Sequence, residues 1–295
     1  MKNIIKKIFQ SFVKFLNTIS KGLLLRLVKS AIDSIEPIAP IEPVKSLYEI
    51  ELRKEIRRRQ IEHPNPFCKF GSFGFSQNDE DGLTIEILKR LGIGKGTFCE
   101  FGVGDGTENN TLILLALGWS GVWIGGQDIV LNTSNSSKLK FIKNWITKEN
   151  ILDLYSSHSA QVVDVVSMDL DGNDLHFAKE LLKNGVSPKL FIVEYNARFP
   201  PQVQFSIPYD AEHIWIADDY FGASLASFVQ LFDRFGYRLI CCNAATGTNA
   251  FFVKEEFVEK FPEVPKDIEK LYTEPFYLPY PKTRSTSVKT LQSFL

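Results

Sequence analysis

A chain of 295 residues that is 44% hydrophobic, with 24 Phe, has apolar material enough for one large domain, alone or with appendages. Its formal charge of −1 excludes the strongly basic balance of a nucleic-acid binder, so no nucleic-acid partner is expected. The four cysteines include the adjacent Cys241 and Cys242 and no CxxC pair, which excludes a disulfide framework and a structural zinc and points to reduced thiols in a cytoplasmic compartment.

Residues 1–30 hold Lys2, Lys6, Lys7, Lys14, Lys21, Arg26 and Lys29 and no acid. This arm is +7, so the total of −1 leaves −8 for the body. Ile4, Ile5, Ile8, Phe9, Phe12, Val13, Leu16 and Ile19 recur at helical spacing, with lysines mostly on the other side. The apolar run Leu23-Leu24-Leu25 stops at Arg26, so a bilayer span is not expected, and no small-residue cleavage site follows. Two readings stay open: a helix lying on an anionic membrane surface, or one packed on its own domain or a second subunit of a homodimer.

Proline at every third position from Pro37 to Pro43 predicts an extended connector closing a first segment at residues 1–45. Residues 46–66 hold a charged helix, residues 67–255 the main domain, and residues 256–295 a Pro- and Tyr-rich tail or lid. Within the main domain the pattern predicts helix Leu83–Leu91, strand Thr97–Phe101, helix Asn109–Leu117, strand Gly121–Ile124 and helix Lys138–Ile146. Then come strand Val162–Leu170, helix Leu175–Lys183, strand Leu190–Glu194, helix Ser224–Phe235, and a hairpin of Tyr237–Cys242 with Asn249–Val253. Strands separated by helices imply an α/β fold of Rossmann-like, doubly wound type.

The strongest chemical signal is Glu100-x-Gly102-x-Gly104-x-Gly106 between a strand and a helix. Glycines there allow a sharp turn and close approach of a ligand to the backbone. A dinucleotide fingerprint needs glycine at 107, where Thr107 stands, and no Lys-Ser/Thr pair follows to grip phosphates. An acid opening the turn repels pyrophosphate and suits a cationic ligand. S-adenosylmethionine, with an ammonium, a sulfonium and no phosphate, fits that charge logic.

The stretch Phe98–Gly106 resembles motif I of class I S-adenosylmethionine-dependent methyltransferases. Asp164–Asp174 and Phe191–Asn196 resemble the fourth- and fifth-strand segments of the FkbM-like branch, and the similarity covers roughly residues 70–255. The resemblance implies a mostly parallel seven-stranded sheet with a C-terminal antiparallel hairpin. It implies cofactor contacts from Glu100, Gly102, Gly104, Asp105 and Gly106. Where the family carries an acid for the ribose hydroxyls, this chain reads Gly125-Gly126-Gln127-Asp128, with Gln127 or Asp128 as the substitute.

Asp169, Asp171 and Asp174 follow one strand, and Glu194 and Asn196 end the next. Asp169, Asp171 or Glu194 is expected to orient an acceptor hydroxyl or take its proton, with at least one of the clustered acids serving only as a turn or helix cap. Asp169-x-Asp171 also has a spacing suited to Mg²⁺. His213, in an aromatic loop, is a candidate base, while His176 reads as structural. Arg198 and Asn196 are expected on the acceptor side. The FkbM-like resemblance implies O-methylation of a saccharide, glycolipid precursor or other small metabolite. The rivals are a metal-dependent glycosyltransferase using Asp169-Leu170-Asp171 and a non-enzymatic membrane-associated scaffold.

Overall fold

A computed structural model describes residues 42–156, 163–276 and 287–294. The amphipathic stripe, its connector up to residue 41, and His158 lie outside the described residues. The chain divides into two compact units, residues 1–58 with 277–283 and residues 59–276 with 284–295. In the first, α1 (Glu42–Glu62, continuing into the second unit) carries exposed i,i+3 ion pairs, Lys54 with Glu51 at 2.7 Å and Arg58 with Glu55 at 2.6 Å. The helix starts at Glu42, so Pro43, expected in the extended connector, stands instead in the first turn of the helix, where a missing N–H costs nothing.

The second unit is built on a seven-stranded sheet. Its strands are β1 (Thr97–Phe101), β2 (Ser120–Gly125), β3 (Leu139–Lys143), β4 (Val165–Met168), β5 (Leu190–Glu194), β6 (Tyr237–Cys242) and β7 (Asn249–Lys254). The order is β3-β2-β1-β4-β5-β7-β6, parallel from β3 to β5, with β7 antiparallel to both its neighbours. This is the Rossmann-like, mostly parallel sheet with a terminal antiparallel hairpin expected from the sequence. Chain order reverses between β1 and β4, so a ligand crevice belongs at their carboxyl ends.

Every residue of β4 and β5 is buried, as helices on both faces of a parallel sheet require. The helices are α2 (Glu80–Leu91), α3 (Leu112–Ala116), α4 (Ile151–Ser156), α5 (Asp174–Lys183), α6 (Leu225–Asp233), α7 (Ile268–Leu271) and α8 (Val288–Gln292). Phe232 of α6 stacks on Phe252 of β7 at 4.2 Å and meets Phe191 of β5 edge-on at 5.1 Å.

Two expectations are corrected. The segment read as a helix over Lys138–Ile146 contains β3, paired in parallel with β2. Leu139, Ile142 and Ile146 have helical spacing, but the segment lies at the sheet edge, where only Leu139 is fully buried along the strand and lysines face solvent. The helix expected from Asn109 begins only at Leu112, because the backbone N–H groups of Asn110 and Thr111 are captured by Glu100.

Replacing Phe252 by Ala, which empties a fully buried position in this stack, is expected to cost about 3–5 kcal/mol of stability, read as a lower midpoint in urea unfolding.

Candidate active site

The turn after β1 is shaped by one close approach. Gly102 has φ +87°, and a Cβ there would stand 1.7 Å from the Asp169 carbonyl oxygen. Only glycine lets the ends of β1 and β4 come together, with Asp169 N–H donating to Phe101 O at 3.0 Å. Gly104, at φ +52°, is the opposite case: no atom lies within 4 Å of where its Cβ would be. The space above it is a two-lobed cavity of about 200 and about 240 Å³, the lobes sharing Gly102, Gly104, Asp169 and Asp171.

Glu100, buried at the end of β1, is a brace. Its oxygens accept from Asn110 N–H (2.9 Å), Thr111 N–H (3.1 Å) and the Thr111 hydroxyl, which in turn accepts from the Trp123 indole at 2.9 Å. Burial raises its pKa, and these bonds pull it back down. Gly106 packs on Trp123 and Ile129 and lines neither lobe, whereas Asp105 lines the first, its carboxylate accepting from Thr107 N–H and Oγ1 at 3.0 and 2.6 Å.

After β4 the acids divide by role. Asp174 is buried and accepts from Leu170 N–H (2.9 Å) and Gly172 N–H (3.0 Å), closing the turn before α5; burial pushes its pKa up to about 6. Both bonds go to N–H groups of the turn rather than of the helix that follows. Asp171 sits at φ +52°, a left-handed conformation that Asp tolerates better than most residues. The ligand oxygens of Asp169, Asp171 and Glu194 lie within 4.8 Å of one another. Burial, then the charges of Asp171 and Asp174, hold Asp169 well above the usual carboxylate range, against a hydrogen bond with Glu194. Crowded acids of this kind retain a proton or welcome a cation.

Asn173 fastens the overlying loop by donating to Asp210 O (2.7 Å) and accepting from Asp210 N–H (3.2 Å). His213 thereby lies against Gly172, where a Cβ would meet its ring at 2.4 Å, and its buried Nε2 has no hydrogen-bond partner among the described residues. His213 lines the second lobe with Gln127 and with Trp145, whose indole donates to Ala211 O at 2.7 Å. His176 is structural: its Nε2 bonds Ile207 O at 2.8 Å.

Five sequence-predicted residues, Gly106 and Glu194 among them, do not line the cavity. Asp128 is exposed and paired with Lys143 at 2.7 Å. Asn196 is fully buried, donating to Asp219 O and Phe221 O and accepting from Arg198 N–H. Arg198 is ion-paired with the buried Asp219 at 2.9 Å. These groups hold loops together and leave the lining to others. Sequence reasoning missed Asn109 and Asn249, whose buried Oδ1 atoms have no partner among the described residues and which line the first lobe. Asn109 follows the glycine turn closely enough to have been a signal; Asn249 had none. Behind Asn249, Glu80 is fully buried, and burial followed by the neighbouring Asp79 charge raises its pKa to about 7.

No family model and no curated protein matches the chain. Among solved structures it is similar to the O-methyltransferase from Bacillus cereus in complex with SAH, at 13% identity and TM-score 0.37, over 77% of this chain and 97% of that one. It is also similar to the N-terminal domain of EvdMO1 in the presence of SAH and D-fucose, at 14% identity and TM-score 0.40, over 68% and 96%. A third is the fibrillarin/Nop5p complex, at 10% identity and TM-score 0.34, over 55% and 72%. At TM-scores this low the likenesses add nothing to the fold already described.

The folded protein holds the Glu80 proton more tightly than the unfolded chain does, so this group makes stability fall as pH rises from 4.5 to about 7. Chemical unfolding of wild type beside Glu80→Gln across that range is expected to show wild type losing ground to the variant as pH rises.

Proposed function

We propose that the chain is an S-adenosylmethionine-dependent methyltransferase of the FkbM-like kind, acting on an oxygen of a saccharide, glycolipid precursor or other small metabolite. One observation carries the reading: the cavity over Gly104 is lined by Glu100, Asp105, Glu108, Asp169 and Asp171, and by no Lys or Arg among the described residues. A negatively lined cleft attracts a cationic ligand and repels the pyrophosphate of a dinucleotide or a nucleotide sugar. The residues fit the cofactor in kind. The second lobe offers Gln127 in place of the usual ribose acid and the Trp145 ring as an apolar wall; the first offers acceptor oxygens.

When bound, S-adenosylmethionine supplies an electrophilic methyl group. The chain's own part is to hold the acceptor in line with it, worth up to roughly 7–11 kcal/mol in the best cases, and to remove a proton, worth about 10²–10⁴ in rate. Asp169 and Asp171, which line both lobes and have Glu194 beside them, orient an acceptor hydroxyl, and one of these carboxylates takes its proton. A second element is favoured by the same trio. Oxygens within 4.8 Å of one another are close to the span that Mg²⁺ draws together, and the ion would orient the hydroxyl and lower its pKa. No described helix is long and apolar enough to cross a membrane, and the basic arm of residues 1–30 is the part we assign to an anionic cytoplasmic membrane surface.

Calorimetric titration of S-adenosylhomocysteine, with and without Mg²⁺, tests the reading. Wild type is expected to bind in the micromolar range. Gly104→Ala puts a methyl into ligand space without meeting any protein atom, so it is expected to weaken binding at least about tenfold at a left-handed-backbone cost of about 1–2 kcal/mol in stability. Absence of binding by wild type under both conditions would refute the proposal.

A further inference from the structure

The loop from Asp210 to Asp219 borders the second lobe and alternates in direction. His213 lies against Gly172 and lines the lobe, and the Trp215 ring packs 5.7 Å from the ring of the buried Phe221. The residues after each of them turn the other way. Ile214 is 72% exposed and Ile216 78%, the highest values of any large apolar side chain among the described residues.

The segment is held at both ends. Asp210 bonds Asn173 through its N–H and its carbonyl, Ala211 O accepts from the Trp145 indole at 2.7 Å, and Asp218 O accepts from the Trp215 indole at 2.8 Å. Ala217 sits at φ +64°, in the left-handed region that residues with a side chain seldom enter. A fixed loop thus presents two isoleucines to solvent, and Trp145, which it bonds, is itself half-exposed at the lobe.

Size and charge decide what covers this tip. Apolar residues scattered singly on a surface are ordinary, whereas two on one fixed segment beside a cavity mark a contact. Three side chains fall far short of the roughly 20–30 residues a side that a stable protein interface uses. The loop's own acids bring no attraction to an anionic surface: the Asp210 and Asp218 carboxylates accept from Glu212 and Tyr220 N–H, and Glu212 is exposed. Its contribution is therefore apolar. The electrostatic share is present elsewhere in the sequence, in residues 1–30, at +7 with no acid. Stable adhesion to a bilayer takes two signals of this kind, apolar insertion and basic charge.

We propose that the 211–218 loop is a membrane-insertion element. Ile214 and Ile216 enter the boundary between headgroups and acyl chains of an anionic bilayer, with Trp145 at the level of the headgroups, so that the second lobe opens at the lipid surface. An indole, apolar in body and polar at its N–H, suits that level. The inference concerns the loop alone and does not depend on which ligand the cavity takes.

The four native cysteines are all buried, so the full chain carrying Ile216→Cys takes an environment-sensitive fluorophore at that position alone. Vesicles of phosphatidylcholine and phosphatidylglycerol are expected to shift its emission to the blue, and spin labels on the lipid chains to quench it. In the unlabelled chain, Ile214→Ser combined with Ile216→Ser is expected to weaken vesicle binding at least about tenfold. The urea-unfolding midpoint is expected to stay in place, because both side chains already stand in water. The binding this double variant retains is expected to fall steeply with salt. Emission that stays unshifted while the protein binds vesicles, undiminished binding by the double variant, or no binding by wild type would overturn the proposal. A blue shift that appears without lipid as protein concentration rises would overturn it as well, in favour of a second copy of the chain on this loop.

Discussion

The contact of Gly102 with the Asp169 carbonyl is the constraint on which the site depends. With no Cβ at residue 102, the ends of two neighbouring parallel strands close to a distance no other residue allows. That closure sets the carboxylates after β4 beside the glycine turn after β1, at the point where the chain order reverses. The cavity, its charge and its two lobes follow from that juxtaposition.

Acids do two different jobs around it. Glu100 and Asp174 spend their oxygens on backbone N–H groups and fix the shapes of the two loops that face each other. Asp169 and Asp171 line the cavity with Glu194 close beside them, and their mutual repulsion is relieved only by a proton or a cation. A carboxylate that accepts two or three backbone donors is costly to replace, and the crowded ones are costly to keep. Holding both kinds within one cleft is a stability penalty.

Much of the fold was legible in the sequence because buried parallel strands announce themselves. Thr97–Phe101, Leu190–Glu194 and Tyr237–Cys242 were bounded correctly by their apolar runs. The edge strand β3 was not, since an edge needs burial on few positions and its Leu139/Ile142/Ile146 spacing imitates a helix. Within the site, the glycine turn and the acids after β4 and β5 were visible as local patterns. The use of Asn196, Arg198 and Asp128 was not, because their partners Asp219, Phe221 and Lys143 lie in other loops or on another strand. Asn249 was invisible for the same reason: only the pairing of β7 with β5 brings it opposite Glu194.

The most direct test of the account is a crystal structure of the protein grown with S-adenosylhomocysteine. The account predicts the adenosine in the lobe between Gln127, Trp145 and His213, and the amino-acid end in the lobe of Asn109 and Asn249, with the sulfur above Gly104. Ligand density elsewhere on the sheet, or the two ends in exchanged lobes, would contradict it.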